Sequence, residues 1–252
     1  MLSTSTTAPL AKSFCVVGIS QGDYIPYAKN ACTPIADPYA SLTAPADGPC
    51  ITAKDLRGYL GSTSSGGGKS DTFGADAELM PGTYCNGMKI SGVNVTFLPG
   101  IYIVKDKPLE FSKGSQATGV GVTFILKGKA TLEIKTNSQV NLRATASGIY
   151  GVLVFFQTPD LAKVGKAPKY PTAISNIKSG GGLTIIGAAY FPSQKLVITS
   201  DSPVQSKSPA TSLIAYQLEF GGKSNTQIRV DHEAGGIPPL LPRSDEGARL
   251  VR

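Results

Sequence analysis

Four cysteines, one histidine and a thin scatter of carboxylates are the residues in this 252-residue chain most able to do chemistry. Cys15, Cys32, Cys50 and Cys85 all lie in the first third and include no Cys-x-x-Cys pair. Zinc sites usually draw on close-paired ligands, and His232 is far away in sequence. An even number of widely spaced cysteines in a Gly-, Ser- and Thr-rich chain points instead to two disulfides, and so to an oxidising compartment. Four cysteines permit three connectivities; the simplest is Cys15–Cys32 with Cys50–Cys85.

The carboxylates give no catalytic set. Asp106, Glu110 and Glu133 are the only acids between residues 79 and 150, and each has a lysine within two or three residues, the pattern of a charge-balanced solvated face. Asp231-His232 has no tryptophan anywhere in the chain to accompany it and no serine or cysteine in a nucleophile elbow, so it supports neither a lyase site nor a hydrolytic triad. "SSGGGKS" at 64–70 has Thr63 where a phosphate-binding loop needs its first glycine, and reads as a flexible loop. Asn94-Val95-Thr96 fits a glycosylation sequon but falls inside a predicted strand, where a packed or ladder asparagine is expected. Asp37-Pro38 is expected to fix a turn through an Asx-type hydrogen bond. No catalytic, cofactor or metal site is predicted.

The elements that must hold these residues are strands. With 29 Gly, 18 Pro and only three Met, the composition favours strands and tight turns over helix. The net charge of +7 is spread over single lysines, and charged residues are only 16% of the chain, which excludes a nucleic-acid-binding stripe. From residue 79 the chain breaks into short β-rich runs, among them "VNVTFLPGIYIV" (93–104), "GVTFILKG" (121–128), "YGVLVFF" (150–156) and "SLIAYQLEF" (212–220). Two phrases nearly repeat, Leu79-Met80-Pro81-Gly82-Thr83-Tyr84 and Phe97-Leu98-Pro99-Gly100-Ile101-Tyr102, and "VTFLPG" is echoed by "VTFILKG".

Repetition at that scale predicts an all-β fold, a right-handed parallel β-helix in which Pro-Gly corners and the rings of Tyr84 and Tyr102 stack from coil to coil. A β-sandwich or jelly roll is the alternative. The division expected is an irregular, disulfide-bearing segment over 1–78 that packs on or caps the solenoid, the β-helix over 79–230, and a tail or cap over 231–252, with Ile237, Leu240 and Leu241 as covering residues. A bridge from Cys50 to Cys85 would tie the first segment to the solenoid and help cover its open end.

"CTPIADPYASL" at 32–42 and "PGTYCNG" at 81–87, with "YGVLVFFQ" and "LTIIGAAYFPSQKLVIT" further on, resemble the extracytoplasmic part of the TadG-like proteins of bacterial Flp/Tad pilus assembly. The resemblance covers most of residues 13 to 220. It implies a non-enzymatic component of pilus assembly or surface adhesion, located in the periplasm or at the cell surface. Its partners would be other envelope or pilus-assembly proteins, and its membrane anchor would lie on a portion preceding this sequence. A carbohydrate-active enzyme, a polysaccharide lyase or hydrolase on the same scaffold, is the competing expectation, because a fold does not determine a function.

Overall fold

The computed structural model describes residues 2–5, 14–24, 26–33, 36–51, 63–64, 70–159, 171, 173–178, 183–200, 210–222, 231–238 and 248–249. The chain is a parallel β-helix of about five turns, built on one continuous sheet of 17 strands. Every pairing in that sheet is parallel except Thr63–Ser64 against Thr72–Phe73. A sandwich or jelly roll would pair its strands antiparallel, so that alternative falls away.

Each coil has three faces. Face A stacks Thr72–Phe73, Met88–Ser91, Leu109–Ser112, Leu132–Ile134 and Ile174–Lys178, then the later halves of Leu183–Ser200 and Thr211–Gly222. Face B stacks Ala77–Leu79, Asn94–Phe97, Gln116–Val120, Gln139–Arg143 and the start of Leu183–Ser200. Face C stacks Gly82–Tyr84, Gly100–Lys105, Val122–Lys127 and Leu153–Gln157 under the middle of Leu183–Ser200 and the start of Thr211–Gly222. Register partners are 17 to 21 residues apart in the first coil, as Leu79 to Phe97 and Met88 to Leu109, and 22 or 23 apart in the next two, as Thr96 to Thr118 and Ser115 to Ser138, until an insertion stretches Glu133 to Asn176 to 43.

Alternation along each strand fills the interior, since successive side chains point to opposite sides of the sheet. Val95 and Phe97, Ala117 and Gly119, Val140 and Leu142 point inward on face B while their neighbours face water. The centre is an aromatic column. The rings of Tyr84, Tyr102, Phe124 and Phe155 follow one another at 6.2, 5.0 and 5.7 Å, each within 29° of parallel to the next. Phe97 meets Tyr102, Phe111 and Phe124 edge-on.

The two Pro-Gly-x-Tyr phrases now have a cause. Each tyrosine is fully buried and donates its hydroxyl to the carbonyl four residues before it, Tyr84 to Met80 at 2.7 Å and Tyr102 to Leu98 at 2.6 Å, so the ring clamps its own corner while joining the stack. Leu79 O of the coil below lies 2.7 Å from the same Tyr102 Oη, so the one hydroxyl proton is shared between the two carbonyls. Pro81 in turn sits over Gly100, where φ is +144° and a Cβ would come within 2.7 Å of the proline ring, so only glycine serves there. The backbone register pairs Gly82 with Tyr102, not Tyr84 with Tyr102; the rings stack across a two-residue offset.

The solenoid begins at Thr72, ahead of the expected boundary at 79, because Thr72–Phe73 already pairs with Met88–Ser91 and Phe73 is buried in the core. At the other end Leu2–Ser5 adds a parallel strand beside Glu219 to Gly222. In the tail, Asp231 caps a single helical turn, His232–Gly235, by accepting from Ala234 N at 3.0 Å, and Ile237 packs on Val152 and Ala210. Leu240 and Leu241 lie outside the described residues.

Phe124→Ala should lower stability by about 3–5 kcal/mol, since it removes the ring that contacts three others. Val120→Ser, at a position 66% exposed, should change stability by less than about 0.5 kcal/mol. Denaturant unfolding of both variants checks the inward and outward assignment.

Candidate functional site

The strands of face C are apolar on both sides, and the outward side is where the N-terminal segment docks. Ile103, Ile125, Phe156, Tyr190 and Ile214 occupy one register column across successive coils, on the outside of the sheet. Left bare, this column would present a long apolar stripe to water. Residues 37–51 lie along it as a strap, with Tyr39, Leu42 and Ala44 packed against the cluster. The strap runs perpendicular to the strands and crosses the coils in reverse order.

At its upper end Asp37 forms the expected Asx turn, accepting from Tyr39 N at 2.9 Å, and its other oxygen accepts from Tyr190 Oη at 2.7 Å. Tyr39 meets Tyr190 edge-on at 5.2 Å, and Tyr190 stacks on Phe156 at 5.4 Å. One coil down, Tyr150 Oη donates to Thr43 O at 2.5 Å. Lys127 Nζ then donates to Pro45 O and to Asp47 Oδ1, both at 2.6 Å, and Lys105 Nζ donates to Asp47 Oδ2 at 2.5 Å. At the lower end Gly48 N and Ile51 N bond to Thr83, and Cys50 pairs with Thr83 as an isolated parallel bridge.

The Cys50–Cys85 disulfide fastens that end covalently, closing a separation of 35 residues. Cys32 is disulfide-bonded too; the side chain of Cys15, its expected partner, lies outside the described residues. Such bridges persist in oxidising compartments, which fits an extracytoplasmic protein. The strap therefore runs lengthwise along the outside of face C, and its lower end, where Cys50 pairs with Thr83 and Ile51 packs against the interior core, covers the edge of the first coil on that face. Beside the disulfide, Pro45, Pro49, Ile51, Pro81, Ile101 and Ile103 line an apolar cavity of about 460 Å³.

Electrostatics sharpen the strap's hold. Hydrogen bonds from Lys105 and then Lys127 hold the Asp47 carboxyl below its ordinary range, and the same bond raises Lys105. Burial, followed by the nearby Asp37 charge, pushes Tyr39 up to about 12, and burial with the Asp37 hydrogen bond raises Tyr190 further. The Tyr39 hydroxyl itself is buried with no hydrogen-bond partner among the described residues.

The acids noted in the sequence serve the scaffold. On face A, Glu110 stacks between Lys89 and Glu133 in register, but its ion pair is to Lys89 on the next coil at 3.0 Å, not to a lysine near it in sequence. Glu133 takes Lys135 at 2.9 Å and Asn176 Nδ2 at 2.9 Å, and Lys195 pairs with Glu219. Asp106 is a left-handed turn residue, φ 58°, whose carboxylate sits against Gly128. Asn94 is an exposed ladder residue, bonded through N and Nδ2 to Asp76 at 2.7 and 3.2 Å, and is not packed inside. The side chain of His232 and residues 65–69 of the Gly-Ser loop lie outside the described residues. Among the described residues no three His, Cys, Asp or Glu side chains are placed to hold a metal, and no helix is long and apolar enough to cross a membrane.

Sequence reasoning missed Asp47, Lys105, Lys127 and Tyr190. A signal existed for the lysines: "IYIVK" and "TFILK" end at the same register position, Lys105 opposite Lys127, so the pair had to project from one face. Fold and strap together define a β-solenoid with a covalently anchored lateral strap. No protein-family model matches the chain, and neither does any curated protein or solved structure.

Two outcomes follow from the strap. Removing the bridge by Cys50→Ser with Cys85→Ser should cost about 2–4 kcal/mol and expose the peptide bond after Tyr39 to chymotrypsin; a strap that stays uncut in the variant would mean that the noncovalent contacts alone hold it.

Because the Tyr39 and Tyr190 values are raised, their stabilisation is complete below the unfolded tyrosine value of about 10 and is lost as pH climbs through the folded values. Asp47, being lowered, contributes above about 4 and loses its contribution as pH falls through its folded value. Thermal melts should thus be flat between roughly pH 5 and 9 and fall steeply above about 10. At neutral pH Tyr190→Phe should cost about 1–3 kcal/mol, while Tyr39→Phe, which deletes an unpaired hydroxyl, should cost nothing.

Proposed function

We propose that this protein is a non-enzymatic component of the bacterial cell envelope, a rigid periplasmic or surface-exposed rod serving Flp/Tad-type pilus assembly or surface adhesion. The observation that carries the reading is how the outward carboxylates are used. Glu110, Glu133 and Glu219 are each tied to a lysine on a flat sheet face, and Asp47 is shared by two lysines under the strap. A lyase or hydrolase on this scaffold needs carboxylates that converge in a groove and are free to bind calcium or exchange a proton. Acids committed to ion pairs within the scaffold brace a rod instead.

The length of the stack and its lateral fastening suit a part that transmits or withstands force between neighbours. The phrases at 32–42 and 81–87, which carry the resemblance to the TadG-like proteins, coincide with the start of the strap and with the first Pro-Gly corner and disulfide, so they are scaffold motifs in this chain. The partners are other envelope or pilus-assembly proteins.

Cross-linking in the envelope of a bacterium carrying this protein, followed by purification of the full chain and mass spectrometry, should recover Flp/Tad components above an unrelated periplasmic control. Recovery of none of them removes the pilus reading. Turnover of uronate-containing or neutral polysaccharides that is abolished by Glu110→Gln or Glu133→Gln would replace it with the enzyme reading.

A further inference from the structure

Face B differs in chemistry from the other two faces. Its outward side chains form two columns, Asn94–Gln116–Gln139 and Thr96–Thr118–Asn141, fixed by the register of three successive strands. All six side chains are exposed. Neighbours along a column are about 4.8 Å apart and the columns about 6.8 Å apart, which gives a flat lattice of amides and hydroxyls. Every one of these groups can both donate and accept a hydrogen bond.

Most of that capacity is unspent. Asn94 is engaged by Asp76, and Thr96 and Thr118 lie 3.4 Å apart, but the side chains of Gln116, Gln139 and Asn141 have no partner among the described residues. A ladder kept for coil cohesion would pair its amides with one another. Exposed Val120, 66% accessible and next in line after Gln116 and Thr118, adds an apolar edge.

Charge decides what such a lattice fits. The chain carries 24 Lys and Arg against 17 Asp and Glu, yet the six lattice positions hold none of them. Among the described residues, charges appear only at the margins: Asp76, bonded to Asn94, and Glu78 on the coil below, and Arg143 at the strand end, whose Nη2 is turned to Gly236 O at 3.3 Å. Face A carries Lys89, Glu110, Glu133 and Lys135, and face C carries Lys105 and Lys127 under the strap. An anionic polymer or membrane would be drawn to those lysines and would gain nothing from face B, whereas hydroxyl groups in a row match donors and acceptors in a row without any desolvated charge.

We propose that face B binds an uncharged, extended polysaccharide lying along the solenoid axis, held by Gln116, Thr118, Gln139 and Asn141, independently of any pilus partner. The full chain should co-sediment with insoluble neutral glucans and be retarded by soluble neutral polysaccharide in affinity electrophoresis, with little change between low and high salt. Gln116→Ala with Gln139→Ala should weaken binding by about tenfold or more, as the loss of two hydrogen-bonding amides predicts. Thr118→Glu should do the same by burying a charge under the ligand. Lys89→Gln on face A should leave binding intact, and circular dichroism should show the strand signature unchanged in all variants, whose altered side chains point to water. The proposal is overturned if no neutral polysaccharide binds, if only anionic polymers bind in a salt-sensitive way, or if the double variant binds as well as the parent.

Discussion

No coil of this protein can satisfy its own backbone. In a parallel solenoid the hydrogen bonds of each strand run to the coils above and below, so register between coils is the constraint from which the rest of the structure follows. Once Lys89, Glu110 and Glu133 are opposite one another on face A, the inward positions on either side of them, Met88 and Ile90, Leu109 and Phe111, Leu132 and Ile134, must stack as well, and an apolar interior forms without any long-range design. The same rule places Gln116 against Gln139 and Lys105 against Lys127 on the outside. A slip of one residue would turn every one of these inside out.

The 43-residue step between Glu133 and Asn176 tests the constraint, because a long excursion leaves the chain to return in register. Side chains guide it back. Ser175 Oγ accepts from Leu132 N at 2.9 Å and donates to Gln194 Oε1 at 2.7 Å, and Gln194 Nε2 donates to Ala130 O at 2.8 Å. These groups are buried, so each would be costly if left unpaired, and the network permits one arrangement of three coils and disfavours the others.

What the sequence made legible was whatever repeats at the coil period. The Pro-Gly corners and their tyrosines marked the solenoid because each phrase is a self-contained corner, ring clamped to carbonyl, that works only when stacked. The eighteen-residue interval is shorter than the later coils because the first coil is itself short, stepping 18 residues from Leu79 to Phe97 on face B and 20 from Gly82 to Tyr102 on face C, which leaves Tyr84 and Tyr102 two residues out of register. The Asx turn at Asp37 was readable because it is local, two residues long. Asp47 was not: its lysines are 58 and 80 residues away, and nothing near it in sequence announces them. Face C carried a clue in "FIL" at 124–126 and "VLVFF" at 152–156, continuous apolar runs without the alternation of a half-buried strand. Such runs mean a strand covered on both sides, and the only described segment that covers this outer side is the strap.

That cover changes the mechanics of the stack. In a solenoid without it, stability is a sum over neighbouring coils, and an end coil can peel away at the cost of one interface. Here one segment touches Tyr190, Tyr150, Lys127, Lys105 and Thr83 in succession, so it contacts coils from near the top of the described stack to its first turn. Opening the first coil strains the disulfide end of the strap, and opening the upper coils withdraws Tyr190 from Asp37 and Tyr39 from its packing site. The apolar outer column of face C makes the strap stick, and the strap makes distant coils answer to one another. A chain whose folding logic is strictly nearest-neighbour has thereby gained a second, lengthwise coupling, and the cysteines at 50 and 85 stand where that coupling meets the first full coil.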